Sequence, residues 1–515
     1  MIFKSDSQFL SKFQDYLHSE LERLSLPGLT IAIIKENEII FNKAFGVKVL
    51  DSDNPNNDFT SDTLIEQCSI TKSVAAAAIS ILVNQEKLEW NCPIISYMDL
   101  ELADPYINEN ITVLDLLSHR SGLACHDAIW NGTNCLLKST ETYLQNLKHL
   151  DFTDSFRDSM VYGNITYGII GLLISKITGL SFYDFVQENI FVHLNIQAES
   201  YLTLMKKEIT DVVSPHTVDY TPEEFLEQFK SPGVSPNLKV KTLKHFVEGN
   251  EILLPAGGFY MSTNDMIKWI QCLMNDGRNI NGKQVIYDMN VLTNIHNANG
   301  SEKNGPFSYR GYGGGLEITQ FDKHHIVNHG GGMAGISTAL MCTIDSTLGV
   351  YVGLNCDYAS NLTYDLSRFV FASLIDSSES EKVISQVETD IKSLPFTFIK
   401  EHYEELLKYK TGRVVKNPKF EKFIGTYFNP AYGKIEISSH TLEYHLYMQR
   451  EPDIPITMYP MLVNEIDSDD SGLMFYTMSG INVDYEWSFG ERVGEIFYLS
   501  LYESSEVEVI FEKSF

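Results

Sequence analysis

The sequence is short of positive charge: 39 lysines and arginines face 68 aspartates and glutamates, for a formal net charge of −29. A field of that sign repels polyanions and no basic cluster interrupts it, so neither nucleic acid nor an anionic membrane surface is expected as a partner. The chain also lacks any apolar run of about 18 residues, and no membrane-spanning helix is expected. Met1-Ile2-Phe3-Lys4-Ser5-Asp6 leads into an amphipathic pattern with no apolar core of about 7–15 residues and no small-residue cleavage site, so no secretory signal is expected. Cysteine is sparse, seven residues that never fall in Cys-x-x-Cys spacing. They read as free thiols in a reducing, cytoplasmic compartment rather than as a disulfide framework. The Asn-x-Ser/Thr sequons at Asn110, Asn131, Asn164, Asn299 and Asn361 are near the chance number for an asparagine-rich chain. His324-His325 has no third ligand at metal-site spacing, so neither a metal nor another cofactor is expected.

What is present is a long chain, 515 residues at 43% hydrophobic content, enough for a large core and for two domains. Residues 6–24 place Phe9, Phe13, Leu17 and Leu21 at helical spacing, and Pro27-Gly28 stops that helix. Two strands follow, at 29–34 and 38–49, then a polar loop over 51–62. Helices are expected at 111–123, 165–177, 181–191, 262–273 and 362–375, the one at 165–177 stopped by Gly179. Strands are expected around 316–319, 325–329, 335–344 and 349–355. Residues 205–250, with Pro215, Pro222, Pro232 and Pro236, read as an irregular surface excursion. From about 418 the texture changes to short alternating segments rich in Tyr and Phe, the pattern of a small antiparallel barrel.

The chemistry concentrates in Glu66-Gln67-Cys68-Ser69-Ile70-Thr71-Lys72, at the head of the helix-prone Ser73-Val74-Ala75-Ala76-Ala77-Ala78. Positions i and i+3 share a helix face, so Ser69 Oγ and the Lys72 amine can meet as nucleophile and base. The first turn adds unpaired backbone N–H groups for a developing anion. A Ser-x-x-Lys pair arises roughly once or twice by chance in such a chain, so its weight comes from its companions. Tyr-x-Asn occurs at Tyr106, Tyr162 and Tyr427; only Tyr162-Gly163-Asn164 precedes a strongly periodic helix.

The ordered set Ser69-Ile70-Thr71-Lys72, Ile111–Leu123, Tyr162-Gly163-Asn164, Leu254–Asp265 and His329-Gly330-Gly331 resembles the serine β-lactamase-related proteins, in the branch of class C β-lactamases, D-aminopeptidases, esterases and penicillin-binding proteins. The resemblance covers about residues 10–375. It implies an α+β fold (an α/β sandwich) with an antiparallel sheet flanked by helices, a catalytic domain over 1–375, a connector over 376–417, and a lipocalin-like barrel over 418–515. It implies an acyl-enzyme on Ser69, with Lys72 and Tyr162 moving protons and the Tyr162 phenol lowered in pKa beside the lysine ammonium. Asn164, His329 and Gly331 would orient or bind substrate, and the backbone N–H groups of Ser69 and Gly332 would hold the oxyanion. Lys410-Thr411-Gly412 spells a motif common in the family but lies in the charged connector, so His329 is preferred at that place. His119 and His126-Asp127 raise a Ser-His-Asp alternative, which Lys72 and Tyr162 make unnecessary. The expected partner is a small-molecule or peptide substrate, the composition is compatible with a homo-oligomer, and an acyltransferase or a catalytically silent scaffold are the competing readings.

Overall fold

The computed structural model describes residues 6–127, 139–220, 222–229, 238–243, 251–298, 306–394 and 400, and eight further strands between 425 and 514. Its centre is a seven-stranded sheet made of β1 (Gly28–Lys35), β2 (Glu38–Gly46), β3 (Phe307–Tyr312), β4 (Glu317–Phe321), β5 (His324–Met333), β6 (Ile336–Thr343) and β7 (Leu348–Leu354). The order is β2-β1-β7-β6-β5-β4-β3, antiparallel at every pairing. The amino-terminal hairpin thus joins the sheet through β7, with Leu29 opposite Leu354. β3 and the full length of β5 go beyond the strands expected from the sequence.

Alternation along β1 explains why it is buried on both faces. Leu29, Ile31 and Ile33 point into one apolar core, and Ala32 and Ile34 into the other. The first core is closed by helix α1 (Asp6–Arg23), whose Phe9, Phe13 and Leu17 repeat every four residues on one face. Phe13 stacks on Phe369 of the helix Asn361–Leu374 at 6.0 Å and tilts against Phe41 of β2 at 5.9 Å. The helix Ser380–Ser393, within the expected connector, buries Val383, Ile384, Val387 and Ile391 in the same core. So do Val218, Phe225, Phe229 and Leu238, which makes part of the 205–250 segment a core-packing element rather than a surface excursion.

On the other face lies α2 (Thr71–Asn84), wholly buried from Thr71 to Leu82. A helix apolar all round belongs in a protein centre, and its four consecutive alanines let neighbours approach. One neighbour is α3 (Ile165–Thr178), which ends in a left-handed Gly179 at φ 76°. The strands from Gly425 to Ser514 close on themselves as an eight-stranded antiparallel barrel.

Candidate active site

Ser69 sits in a 3-10 turn, Cys68–Ile70, that runs directly into α2. The turn starts from strain: Cys68 has φ 47°, a left-handed value that a non-glycine residue rarely adopts. Two packed strands hold it there. Gln67 N–H donates to Phe259 O at 2.8 Å, and the Gln67 carbonyl accepts from Thr338 Oγ1 of β6 at 3.2 Å. Gly331 of β5 lies against the turn so closely that a Cβ there would meet Thr338 Oγ1 and come within 2.5 Å of the Gln67 carbonyl oxygen.

Lys72, fully buried, brings its Nζ within 3.1 Å of Ser69 Oγ, 2.6 Å of Asn164 Oδ1 and 2.8 Å of the Ala256 carbonyl. Burial lowers its pKa from the ordinary 10.5 to about 7, against the pull of the Asp127 carboxylate and Cys68. Its place in the first turn of a helix acts in the same sense as burial. A neutral amine has two N–H groups and one lone pair. Asn164 and Ala256 offer only acceptors to it, so the lone pair is left for the Ser69 hydroxyl. The three contacts therefore suit a base.

Asn164 begins α3 but makes no capping bond with its side chain. Its Oδ1 takes Lys72 and its Nδ2 donates to Asp127 Oδ1 at 3.3 Å, so the amide bridges the amine to a carboxylate. Tyr162 hydrogen-bonds Ser69 through its phenol, and Lys72 Nζ lies 4.8 Å from the Tyr162 ring centre. Burial raises the Tyr162 pKa well above its usual value, with the Ser69 bond opposing. This corrects the sequence expectation: desolvation dominates at the phenol and burial lowers the neighbouring Lys72 instead, so Tyr162 rests as a neutral phenol.

Behind Tyr162 lies a stack of rings. His119, buried with φ 56°, sits 4.2 Å from the Tyr162 ring and accepts from Gly163 N–H on Nδ1 at 3.3 Å. His329 is buried too; its Nδ1 donates to the Gly330 carbonyl and its Nε2 accepts from Tyr312 OH at 2.7 Å. Burial, and then the Lys72 charge, push its pKa down to about 3. His329 is thus a neutral support under the tyrosines, with both nitrogens engaged.

In front of Ser69 opens a cavity of about 80 Å³ lined by Glu66, Cys68, Asn164, Tyr260, Gly332 and Met333 among others. Among the described residues, β5 pairs beyond Asn328 with β6 alone, so the other edge of the His329–Met333 stretch has no strand partner there.

The beta-lactamase family matches residues 13–371. The chain belongs to the beta-lactamase family. Within the matched sequences, an unguisins hydrolase of Aspergillus campestris is 24% identical over 360 residues, covering 68% of this chain and 62% of that enzyme. A second unguisins hydrolase, from Aspergillus violaceofuscus, is 26% identical over 270 residues, 51% of this chain and 45% of that enzyme. The chain therefore spans less than two thirds of the length of these two relatives. A putative D-alanyl-D-alanine carboxypeptidase of Salmonella gallinarum is 22% identical over 291 residues, 53% of this chain and 66% of that protein. Among solved structures, the octameric penicillin-binding protein homologue from Pyrococcus abyssi has the same fold, with TM-score 0.57 and 18% identity over 98% of this chain and 100% of that one.

For this beta-lactamase-family chain, Ser69, Lys72, Tyr162 and Asn164 come together as the sequence suggested. Gly332 lines the cavity, and a Cβ there would meet nothing within 4 Å. Gly331 and His329 do not line it; they pack behind it, because alternate residues of β5 face opposite ways and both histidine nitrogens are engaged. Of the alternatives, His126 Nε2 bonds the Asp151 carbonyl at 2.9 Å, while Asp127 serves Asn164. His324 pairs with Asp345 at 2.9 Å. Tyr106 is two-thirds exposed and Tyr427 is buried on a barrel strand. Lys410-Thr411-Gly412 lies outside the described residues. Glu66, Tyr260, Tyr312 and the Asp127 carboxylate as a partner of Asn164 are not among the residues that the motifs single out. Only Glu66 carried a signal, a carboxylate three residues before the nucleophile.

Proposed function

We propose that the protein is a serine hydrolase that cleaves an ester or amide through an acyl-enzyme on Ser69. The observation that carries this is the 3.1 Å contact between Ser69 Oγ and a buried Lys72 whose pKa lies at about 7, facing an open cavity. Lys72, neutral, takes the Ser69 proton as Oγ bonds to the substrate carbonyl carbon. The oxyanion that forms is held by the backbone N–H groups of Ser69 and Gly332. Collapse breaks the bond to the leaving group, which takes a proton from the Tyr162 phenol. The Lys72 ammonium returns that proton to Tyr162, so the charge count closes at each step. Water then repeats the sequence to release the acid.

His329, neutral and enclosed, offers no positive charge to a substrate carboxylate. That speaks for neutral or cationic substrates over β-lactam antibiotics. Relatives named as a hydrolase and as a carboxypeptidase agree with amide or ester cleavage in general.

The test is a panel of nitrophenyl esters, D-amino-acid amides and β-lactams followed in the first turnover. A burst of leaving group equal to the enzyme concentration on at least one ester or amide is expected, and it should vanish in Ser69→Ala. Absence of turnover and burst across the panel by folded protein would leave the scaffold reading.

A further inference from the structure

The steps above do not use Glu66, yet its carboxyl is the most unusual group in the cavity wall. It sits on the two-residue strand Ile65–Glu66, paired with Phe259–Met261 so that Glu66 lies opposite Tyr260. The Tyr260 hydroxyl donates to Oε2 at 3.0 Å. Among the described residues no lysine, arginine or histidine pairs with this carboxyl, and no hydrogen bond reaches Oε1. The residue is 8% exposed and borders the cavity in front of Ser69. A carboxylate removed from water without a cation is costly, and native proteins normally supply one.

The same cavity carries a second carboxylate. Glu251 uses Oε1 to accept from Ser200 Oγ at 2.8 Å. The rest of the described lining combines apolar side chains such as Leu202 and Met333 with neutral polar ones such as Asn164 and Tyr260, and it holds no basic side chain. The nucleophile therefore opens onto a pocket with two acidic groups and, among the described lining residues, no basic side chain.

We propose that this cavity binds a protonated amine of the substrate, with Glu66 as its ion-pair partner and Glu251 as a second acceptor. This rests on the serine hydrolase reading and narrows it to substrates that carry an ammonium group close to the scissile carbonyl. An ammonium is compact and has three N–H donors to share between the two carboxylates. Burial raises the Glu66 pKa to about 7, with the Tyr260 hydrogen bond opposing. Near neutral pH the empty site is thus close to half ionised, and an arriving cation draws it to the carboxylate form.

Two fluorophosphonates test this, one with an alkyl chain ending in ammonium and one in which a hydroxyl replaces it. The full-length protein is labelled with each and second-order rates are compared from pH 5.5 to 8.5. The ammonium probe should react about ten- to a hundredfold faster at pH 8. The ratio of the two rates should rise through pH 7, since Lys72 acts on both probes and cancels. Glu66→Gln should collapse the ratio toward one. Should that variant not fold, butylammonium added to the wild type should slow labelling by the hydroxyl probe competitively, while butanol at the same concentration should not. Labelling of Ser69 by both probes at equal, pH-independent ratio, without protection by butylammonium, overturns the ammonium site and leaves the hydrolase standing: Glu66 is then only a hydrogen-bond acceptor for Tyr260. No labelling of Ser69 by either probe overturns both.

Discussion

Asp127→Asn should make the enzyme faster in acid. In the structure the Asp127 carboxylate stabilises the Lys72 ammonium from the far side of Asn164, opposing the burial that lowers the lysine to about 7. The contacts on either side of the amide, 2.6 and 3.3 Å, put the two charges roughly 6–8 Å apart. Two unit charges at that distance interact by about 1–2 kcal/mol once the partial exposure of Asp127 is allowed for, which is about one pH unit. Asparagine keeps an acceptor for Asn164 Nδ2, so the bridge survives while the charge goes. The sign then follows. Losing the negative charge favours the neutral amine, the midpoint falls from about 7 to about 6, and the reactive fraction at pH 6 rises about fivefold. The assay is the pH dependence of Ser69 phosphonylation by a neutral fluorophosphonate. Wild type should lose about tenfold in rate per pH unit below 7 and level off above it. A midpoint unchanged or raised in Asp127→Asn would refute Lys72 as the titrating base.

Tyr162→Phe should slow acylation by amides about 10²- to 10⁴-fold. It should slow fluorophosphonate labelling far less, because fluoride needs little help to leave; equal losses for both would contradict the proton-donor role. Gly331→Ala should lower thermal stability by about 1–3 kcal/mol and slow labelling, since the new methyl meets Thr338 Oγ1 and the Gln67 carbonyl. Gly332→Ala faces open space and should leave the unfolding temperature near wild type; a reversed order would mean the register of β5 is wrong. Lys72→Met should remove a buried amine whose folded-state pKa is depressed. Between pH 7 and 10.5 the unfolded chain binds the proton that the folded one does not, so wild-type stability rises with pH across that window. The stability of Lys72→Met relative to wild type should therefore be greater at pH 6 than at pH 9 by about 2–3 kcal/mol, read by chemical denaturation of the catalytic part.

Local chemistry was legible in the sequence. Ser69 and Lys72 are three residues apart, so helix geometry alone brings them together, and Tyr162-Gly163-Asn164 could be placed by the periodic helix after it. Contacts made by pairing distant segments were not legible. Glu66 meets Tyr260 across 194 residues, and no pattern near either announces it. Gly331 and Gly332 are indistinguishable as letters; strand alternation sends one against Gln67 and opens the other to the cavity. The pKa assignments also needed the fold, because the expected lowering of Tyr162 assumed a lysine charge that burial itself suppresses. The 205–250 segment reads as irregular because its apolar residues, Val218, Phe225, Phe229 and Leu238, sit on or beside elements as short as the strand His216–Val218 and the helix Pro222–Gln228, too brief to build a sustained period.

The central claim, a covalent acyl-enzyme on Ser69, is tested most directly by intact-mass spectrometry of the protein after exposure to a fluorophosphonate. One adduct per chain, localised to the peptide carrying Ser69 and missing in Ser69→Ala, is the predicted result. An adduct of equal yield in Ser69→Ala, or one localised to another residue of the folded protein, would contradict it.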